Sequence, residues 1–189
     1  MFEDPILQSL VKKYPAPHFI DRSKFLMRQL IESVVSQQLS VKASDTIFAR
    51  FVDLFPDGKF PTAEMILEMD DEKIRGAGLS FAKVKYIKSI ANAFVSDLVD
   101  IEKIKKQSDE EVITELTQIK GIGRWTAEMI LISTLKRPDV FSIGDLGLRN
   151  AITRLYGITD RKEMIALAEI WKPHRSTACW YLWRSVEKK

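Results

Sequence analysis

The stretch that decides the fold runs from residue 116 to residue 130 and reads LTQIKGIGRWTAEMI. Hydrophobic residues return at helical spacing on both sides of Gly121-Ile122-Gly123, so the stretch predicts a helix, a sharp break and a second helix. One interpretation is a helix-ending glycine followed by a tight turn between helices. The other is that the glycines let the backbone approach another surface, where the amides of Ile122, Gly123 and Arg124 begin a helix without intrahelical partners.

Such a helix start attracts anions, because its unpaired amides and the positive end of the helix dipole point the same way. Lys120 and Arg124 flank it with full positive charges. Amides and cations together can bind a phosphodiester without reading base sequence, so on the second interpretation the stretch is a candidate phosphodiester clamp, and the plain turn between helices stays open beside it. The formal net charge of +3 is compatible with a polyanion partner.

Helical spacing of apolar residues continues over nearly the whole chain of 189 residues. Ser108 to Glu111 has the form of a capping box, and further helices are expected at about 146–156, 160–171 and 175–187. No alternating run is long enough to predict a strand, and no repeat or low-complexity linker divides the chain. The sequence therefore predicts an all-α globular protein.

The cysteine and histidine content excludes several kinds of site. Cys179 is the only cysteine, which excludes an intramolecular disulfide, and with only two histidines a cysteine-rich zinc or iron–sulfur site is excluded as well. No apolar run approaches the roughly 20 residues that cross a bilayer. We expect no membrane partner and an intracellular location, in the cytoplasm with the nucleoid if the source is prokaryotic and in the nucleus if it is eukaryotic.

Five stretches together resemble the DNA glycosylase superfamily that is named for a helix-hairpin-helix and a Gly/Pro-rich loop ending in aspartate. Residues 116–127 are similar to the hairpin, and VFSIGDLGLR at 140–149 is similar to the loop that follows it. Three more stretches resemble the 3-methyladenine DNA glycosylase II branch: SQQLSVKA at 36–43, GLS at 78–80 with Lys83 and Tyr86-Ile87, and WKPHRS at 171–176 leading to WYLWR at 180–184.

The resemblance implies a single compact glycosylase domain, residues 1–189, made of two helical lobes with a DNA-binding cleft between them. One lobe is expected at about 35–140 and contains the hairpin; the other combines about 1–34 with 141–189. The resemblance also implies a monomeric base excision repair enzyme. It would bind double-stranded DNA with alkylated bases, flip the damaged purine out, hydrolyse its N-glycosidic bond and leave an abasic site.

Asp145 is the residue that the resemblance places at the catalytic position. An aspartate before an apolar helix is a preferred cap, and that role alone would explain it. An ionised carboxylate beside C1′ would also stabilise an oxocarbenium-like transition state and orient water. Glycoside hydrolysis normally needs a second carboxyl group as acid. A purine alkylated at N3 or N7 is cationic and leaves without protonation, so one carboxylate favours 3-methyladenine or 7-methylguanine as substrate.

The residue after Arg124 separates two mechanisms. Family members that also cut the DNA backbone have a lysine there, which attacks C1′ and forms a Schiff base. This chain has Trp125, so we expect water as nucleophile and no lyase step. Two alternatives remain open: a helix-hairpin-helix DNA-binding module in which Asp145 only caps a helix, and a bifunctional glycosylase/lyase.

The resemblance assigns further residues to base flipping. An electron-deficient purine is well received by an aromatic face, and the expected base pocket consists of Trp125, Trp183, Met129 and Trp180. Trp171 is expected to be structural. The turn Gln37-Gln38-Leu39 resembles the loop that fills the gap in the base stack, with Gln38 as first choice and Leu39 as second.

The remaining implied contacts concern the DNA backbone and an ion. The backbone contacts are Lys120, Gly121, Ile122, Gly123 and Arg124 in the hairpin, Gly78, Ser80 and Lys83 at another helix start, and Arg149 on the side of Asp145. No cofactor is required and no iron–sulfur cluster is expected. The branch implies a structural Na⁺ or K⁺ ion, held by the main-chain carbonyls of Thr117, Ile119 and Ile122.

Overall fold

The computed structural model describes residues 2–187, and this part of the chain contains helices, turns and loops but no strand. The α-helices are α1 (Pro5–Lys13), α2 (Leu26–Ser36), α3 (Val41–Val52), α4 (Ala63–Glu68), α5 (Asp71–Gly76), α6 (Phe81–Val95), α7 (Ile101–Ile104), α8 (Asp109–Thr117), α9 (Arg124–Ser133), α10 (Leu146–Tyr156), α11 (Arg161–Glu169) and α12 (Arg175–Val186). The all-α fold predicted from the sequence is confirmed. Among the described residues, no helix is long and apolar enough to cross a membrane.

The chain divides into two units. The terminal unit comprises Met1–Asp21 and Leu131–Lys189, and the central unit comprises Arg22–Ile130. Both boundaries differ from the expected ones near residues 34 and 140. The first lies earlier because α2 packs against α3 and α6 of the central unit, where Leu26 and Leu30 are buried.

The second boundary also lies earlier than expected, because residues 137–140 are bonded to the start of α12. The hydroxyl of Ser176 donates to the carbonyl of Arg137 over 2.6 Å and accepts from the amide of Val140 over 3.0 Å. These bonds tie the segment to the terminal unit before the chain reaches α10.

The terminal unit has its own hydrophobic core around α12. This helix packs against α1 and α10. The buried residues of this core are Phe2, Leu7, Leu10, Leu148, Ala151, Ile152, Met164, Ala168, Trp171, Ala178, Cys179, Tyr181 and Leu182. Helix α1, which the sequence analysis did not predict, closes one side of this core.

Asp4 joins the beginning of α1 to the terminal core. Its Oδ1 caps the helix by accepting from the amides of Ile6 and Leu7, over 2.8 and 3.1 Å. Its Oδ2 accepts from the Tyr156 hydroxyl over 2.8 Å and from the Trp171 indole over 3.0 Å. Burial, with the bond to Asp4, raises the pKa of Tyr156 above its ordinary value. A buried carboxylate with four donors is a structural junction.

The central unit is built around α6, against which α2, α4 and α5 pack. Val84, Ile87 and Ile90 are buried along this helix, as their helical spacing predicts. Ser80 caps α6 by accepting from the amide of Lys83. The predicted capping box is confirmed: Ser108 accepts from the Glu111 amide, and the Glu111 carboxylate accepts from the Ser108 amide at the start of α8.

Candidate functional site

Asp145 stands at the beginning of α10 and is partly exposed. Its Oδ1 accepts from the amide of Leu148 over 2.7 Å, which caps the helix. The same oxygen accepts from the indole N–H of Trp183 on α12 over 2.9 Å. The carboxylate is thus oriented by two donors, one from the helix it begins and one from a neighbouring helix.

Gly147 lies against this carboxylate and this indole. A Cβ atom at position 147 would lie 3.1 Å from Asp145 Oδ1 and 3.4 Å from Trp183 Cδ1. The first distance is tighter than ordinary van der Waals contact and the second is at its lower limit, so a side chain here would press on the carboxylate and touch the indole. The glycine therefore lets the carboxylate and the indole approach the first turn of α10.

The loop before Asp145 is held by α10 itself. Arg149 donates from one guanidinium nitrogen to the carbonyls of Ile143 and Gly144, over 3.0 and 2.7 Å. The amide of Asp145 donates to the carbonyl of Ser142 over 3.0 Å. Arg149 was expected to contact the DNA backbone, and in the structure its guanidinium group holds the loop that carries the carboxylate.

A second clamp lies further back in the same loop. Arg175, at the start of α12, donates from Nε to Asp139 Oδ1 over 2.9 Å and from a terminal nitrogen to Oδ2 over 3.0 Å. The Ser176 bonds already described act at the neighbouring residues. This clamp was not predicted from the sequence, because no short-range spacing pairs residues 36 positions apart.

The expected aromatic pocket residues are found in both units. In the terminal unit, Trp183 is half-buried, and the ring of Trp180 meets that of Tyr181 edge-on at 5.0 Å, with the Arg184 guanidinium 5.8 Å from its centre. In the central unit, Trp125 at the start of α9 is 47% exposed and Met129 is half-buried. The role of each in binding a base stays a prediction.

The hairpin turn between α8 and α9 is drawn tightly onto α6. Gly121 has φ +96°, and a Cβ atom there would lie 2.3 Å from Cγ of Tyr86, so only glycine fits. The amide of Ile122 donates to the carbonyl of Ile119 over 3.0 Å. This corrects one expectation, since Ile122 already has a backbone partner. Within residues 2–187, no backbone carbonyl accepts from the amides of Gly123 and Arg124.

The side chain of Arg124 is bound to two carboxylates of the central unit. It donates to both oxygens of Glu110, over 3.0 and 2.5 Å, and to buried Glu128 over 2.9 Å. The bond from Arg124 lowers the pKa of Glu110, and the same bond raises that of Arg124. Arg124 was expected to bind a DNA phosphate, but its guanidinium group already has two carboxylate partners within the protein. Lys120 stays exposed.

The expected wedge turn follows α2. Gln38 is exposed and has φ +60°, a left-handed conformation that is uncommon outside glycine, and Leu39 is 40% exposed. Lys83, on α6, donates from its ammonium group to the carbonyls of Val35 and Gln37, over 2.7 and 2.8 Å. Lys83 was expected to contact a DNA phosphate, and the structure gives it these carbonyl partners.

Gly78 and Ser80 form the other expected phosphate contact. Gly78 has φ +105°, and Ser80 is occupied as the cap of α6. Among the described residues, no group of three His, Cys, Asp or Glu side chains could hold a metal ion. The expected alkali-metal ligands are backbone carbonyls at the end of α8 and in the hairpin.

A family model for HhH-GPD superfamily base excision DNA repair proteins matches residues 31–175. The chain belongs to this superfamily. The chain is 45% identical over 161 residues to DNA-3-methyladenine glycosylase 1 of Schizosaccharomyces pombe, a match that covers 83% of this chain and 71% of that relative. It spans 58% of the length of a Bacillus subtilis relative that is 31% identical to it.

Two solved structures are similar to this chain over nearly its whole length. The Schizosaccharomyces pombe 3-methyladenine DNA glycosylase in complex with abasic DNA superimposes with a TM-score of 0.85 at 41% identity, covering 97% of this chain and 92% of that one. The Bacillus halodurans DNA-3-methyladenine glycosidase gives 0.81 at 32% identity, covering 97% and 89%. The prediction of an HhH-GPD DNA glycosylase is confirmed.

Proposed function

We propose that the chain is a monofunctional DNA glycosylase that releases alkylated purines, such as 3-methyladenine and 7-methylguanine, from duplex DNA and leaves an abasic site. The observation that carries the proposal is the carboxylate of Asp145, which the Leu148 amide and the Trp183 indole orient at the beginning of α10. The names of the similar proteins, 3-methyladenine DNA glycosylases, support the substrate class.

In this mechanism Asp145 acts on the sugar. The bond between C1′ and the purine nitrogen breaks, and its electron pair leaves with the base. The deoxyribose takes on positive charge, which a nearby carboxylate stabilises. Water then forms a bond to C1′ and loses a proton, and Asp145 orients that water and accepts the proton. The products are a free base and an abasic site.

The proposed substrates follow from the charge of the leaving group. An alkylated purine is cationic, and the electron pair that it receives neutralises it, so no acid is needed. Trp183 has one N–H donor, and that donor is used by Asp145. Any contribution of Trp183 to a bound base would therefore come from its ring face, where a cation gains about 0.5–2 kcal/mol.

The absence of a lyase step is proposed from Trp125. A Schiff base needs an amine at C1′, and an indole has no such nucleophile. Lys120 precedes the hairpin turn and does not match the position of the family's lysine. A covalent enzyme–DNA intermediate is accordingly not part of the proposed reaction.

The proposed partner is double-stranded DNA, bound by a monomer inside the cell. The amides of Gly123 and Arg124 at the beginning of α9, together with Lys120, would bind a phosphate, while Gln38 or Leu39 would fill the gap left by the flipped base. Few full charges contribute, because Arg124 and Lys83 are bound internally. Binding should therefore show a modest salt dependence, reflecting a handful of phosphate contacts.

The proposed ion site is compatible with the hairpin. Alkali-metal ions take oxygen ligands, and the helical hydrogen-bond ladder ends near Thr117, Ile119 and Ile122. The Ile119 carbonyl accepts from Ile122, which leaves a second lone pair for an ion. A bound Na⁺ or K⁺ would add positive charge beside the phosphate site and would take no part in bond cleavage.

The test is release of free base from a panel of duplexes with a single lesion each. We expect free 3-methyladenine or 7-methylguanine, an abasic product that breaks only on later alkali treatment, and no adduct trapped by borohydride. Binding of damaged DNA without release would favour the non-catalytic module, and a trapped adduct would favour the glycosylase/lyase.

A further inference from the structure

The turn Gln37–Leu39 holds a conformation that its own sequence does not favour. Gln38 has φ +60°, where the Cβ atom of an L-residue is crowded. Asparagine and glycine adopt this region more readily than glutamine does. Such a conformation persists when the surrounding structure determines it, and it occurs often at functional sites.

Lys83 supplies much of that support. Its ammonium group donates to the carbonyl of Val35 in the last turn of α2 and to the carbonyl of Gln37 just beyond it. The two carbonyls lie on either side of the point where the chain leaves the helix. Burial of the ammonium group lowers the pKa of Lys83. One cation therefore fixes the backbone immediately before Gln38.

The same face of α6 also holds the hairpin. Tyr86, one turn after Lys83, packs against Gly121, and the hydroxyl of Ser89 accepts from the Lys120 amide over 3.1 Å. The Gln37 side chain donates to the Gly121 carbonyl over 3.3 Å and joins the two turns directly. Helix α6 thus fixes the distance between the turn that carries Gln38 and the hairpin.

We propose that Lys83 is a positioning residue for base flipping: it holds the turn Gln37–Leu39 in the conformation from which Gln38 enters the DNA base stack. The inference rests on the proposed function, because a wedge is useful only to a protein that flips a base. Lys83 touches neither the base nor the sugar, and acts through Gln38.

A purely structural role predicts a different pattern. A lysine at the end of a helix neutralises its carbonyls and stabilises the fold. Loss of that role would lower the midpoint of thermal unfolding and leave the rate of base release per folded molecule unchanged. Loss of the positioning role lowers the rate of base release in molecules that are still folded.

The experiment compares Lys83→Met, which keeps the length of the side chain, with Lys85→Met. Lys85 is exposed on α6, so its loss removes the same charge without removing the two bonds. We expect Lys83→Met to slow single-turnover release of 7-methylguanine from duplex DNA by about ten- to a hundredfold, since a small misplacement has effects of this size. Lys83→Arg, which keeps donors, should recover most of the rate.

A double-mutant cycle with Gln38→Ala tests whether Lys83 acts through Gln38. We expect the double variant to release base no more slowly than the slower single variant, because both substitutions abolish the same function, the insertion of Gln38 into the base stack. Additive losses would overturn the proposal, as would a Lys83→Met rate equal to that of Lys85→Met at a temperature where circular dichroism shows both to be folded.

A second readout separates this proposal from the proposed function. If the wild-type chain released no base, the proposed function would fail, and insertion would be measured without chemistry. The probe is 2-aminopurine next to a tetrahydrofuran abasic analogue in duplex DNA, whose fluorescence rises when a side chain disturbs stacking. Wild-type chain and Lys85→Met should raise the signal and Lys83→Met should not; equal signals from all three would contradict the role of Lys83.

Discussion

Two tryptophan–aspartate pairs in the terminal unit use the same chemistry in different surroundings. In each, an aspartate caps a helix and accepts from an indole N–H: Asp4 from Trp171 over 3.0 Å, and Asp145 from Trp183 over 2.9 Å. Asp4 and Trp171 are buried, whereas Asp145 and Trp183 are partly exposed. The rings of Phe141 and Tyr156 pack against Trp171.

The two pairs differ in how the donors are distributed over the carboxylate oxygens. Asp4 accepts four hydrogen bonds, two at each carboxylate oxygen, and these bonds hold the fold together. At Asp145 the amide and the indole donate to the same oxygen, Oδ1. An aspartate that caps a helix and accepts from an indole can therefore have either a structural role, as at Asp4, or the catalytic role proposed for Asp145. The two aspartates differ in their exposure to solvent.

The largest effect is expected from changing the two aspartates. Asp145→Asn keeps shape and helix cap but removes the negative charge, so base release should fall about a thousandfold while DNA binding and thermal stability change little. Asp4→Asn points an amide N–H toward the donors of Tyr156 and Trp171, and should lower the free energy of unfolding by about 2 kcal/mol. The Asp4→Asn variant should release base at the wild-type rate per folded molecule. Unchanged release by Asp145→Asn would refute the chemical role.

The second test exchanges each tryptophan for phenylalanine. Trp171→Phe leaves a cavity and removes one of the two donors to Asp4 Oδ2, so chemical denaturation should show a loss of about 3 kcal/mol in the free energy of unfolding. Trp183→Phe keeps an aromatic ring but removes the donor to Asp145, and single-turnover release should slow by about thirtyfold. If Trp171→Phe slowed release as much as Trp183→Phe, the separation between the pairs would be lost.

A smaller effect is expected from Gly147→Ala. The new methyl group would press on Asp145 Oδ1, and base release should slow by about tenfold. Unfolding free energy should stay level or rise by about 0.5–1 kcal/mol, because alanine favours the helix. Gly76→Ala is the control, since its Cβ would have no neighbour within 4 Å. An equal slowing in both variants would show that the effect does not come from the Asp145 pair.

The smallest effect is expected in the pH dependence of the free energy of unfolding. It comes from Tyr156, which donates to Asp4 of the buried pair. The pKa of Tyr156 is raised in the folded chain, so its proton is held more tightly there than in the unfolded chain. The stability that it contributes is complete below pH 10 and declines above it. Relative to Tyr156→Phe, wild type should lose stability progressively as the pH rises above 10, in urea unfolding measured at several pH values. A pH-independent difference would contradict burial of this hydroxyl.

Much of the fold was predictable because the helices follow from short-range patterns in the sequence. The spacing of apolar residues predicted α10, and the Ser108 capping box predicted the start of α8. Helix α1 was missed although Asp4 followed by Pro5 is a standard helix-start signal. Val41 is apolar and yet 78% exposed, because it is the first residue of α3 and lies just after the exposed turn Gln37–Leu39.

The sequence motifs named candidate site residues, but they did not predict the hydrogen bonds that these residues make. The motifs pointed to Asp145, Trp183 and Lys83. Which carboxylate meets which indole depends on packing between helices that are distant in sequence, and Arg124 and Lys83 were assigned outward roles because charge patterns do not reveal internal partners. Residues at tertiary contacts such as Gly147 and Arg175 carry no local signal of their role.

The bond from the Leu148 amide closes the first turn of α10, and in the proposed reaction it also holds Asp145 toward the sugar. Fraying of that single turn would turn the carboxylate away while the remaining helices stay intact. Catalytic competence should therefore disappear on warming at temperatures where the bulk helical signal has not yet begun to fall.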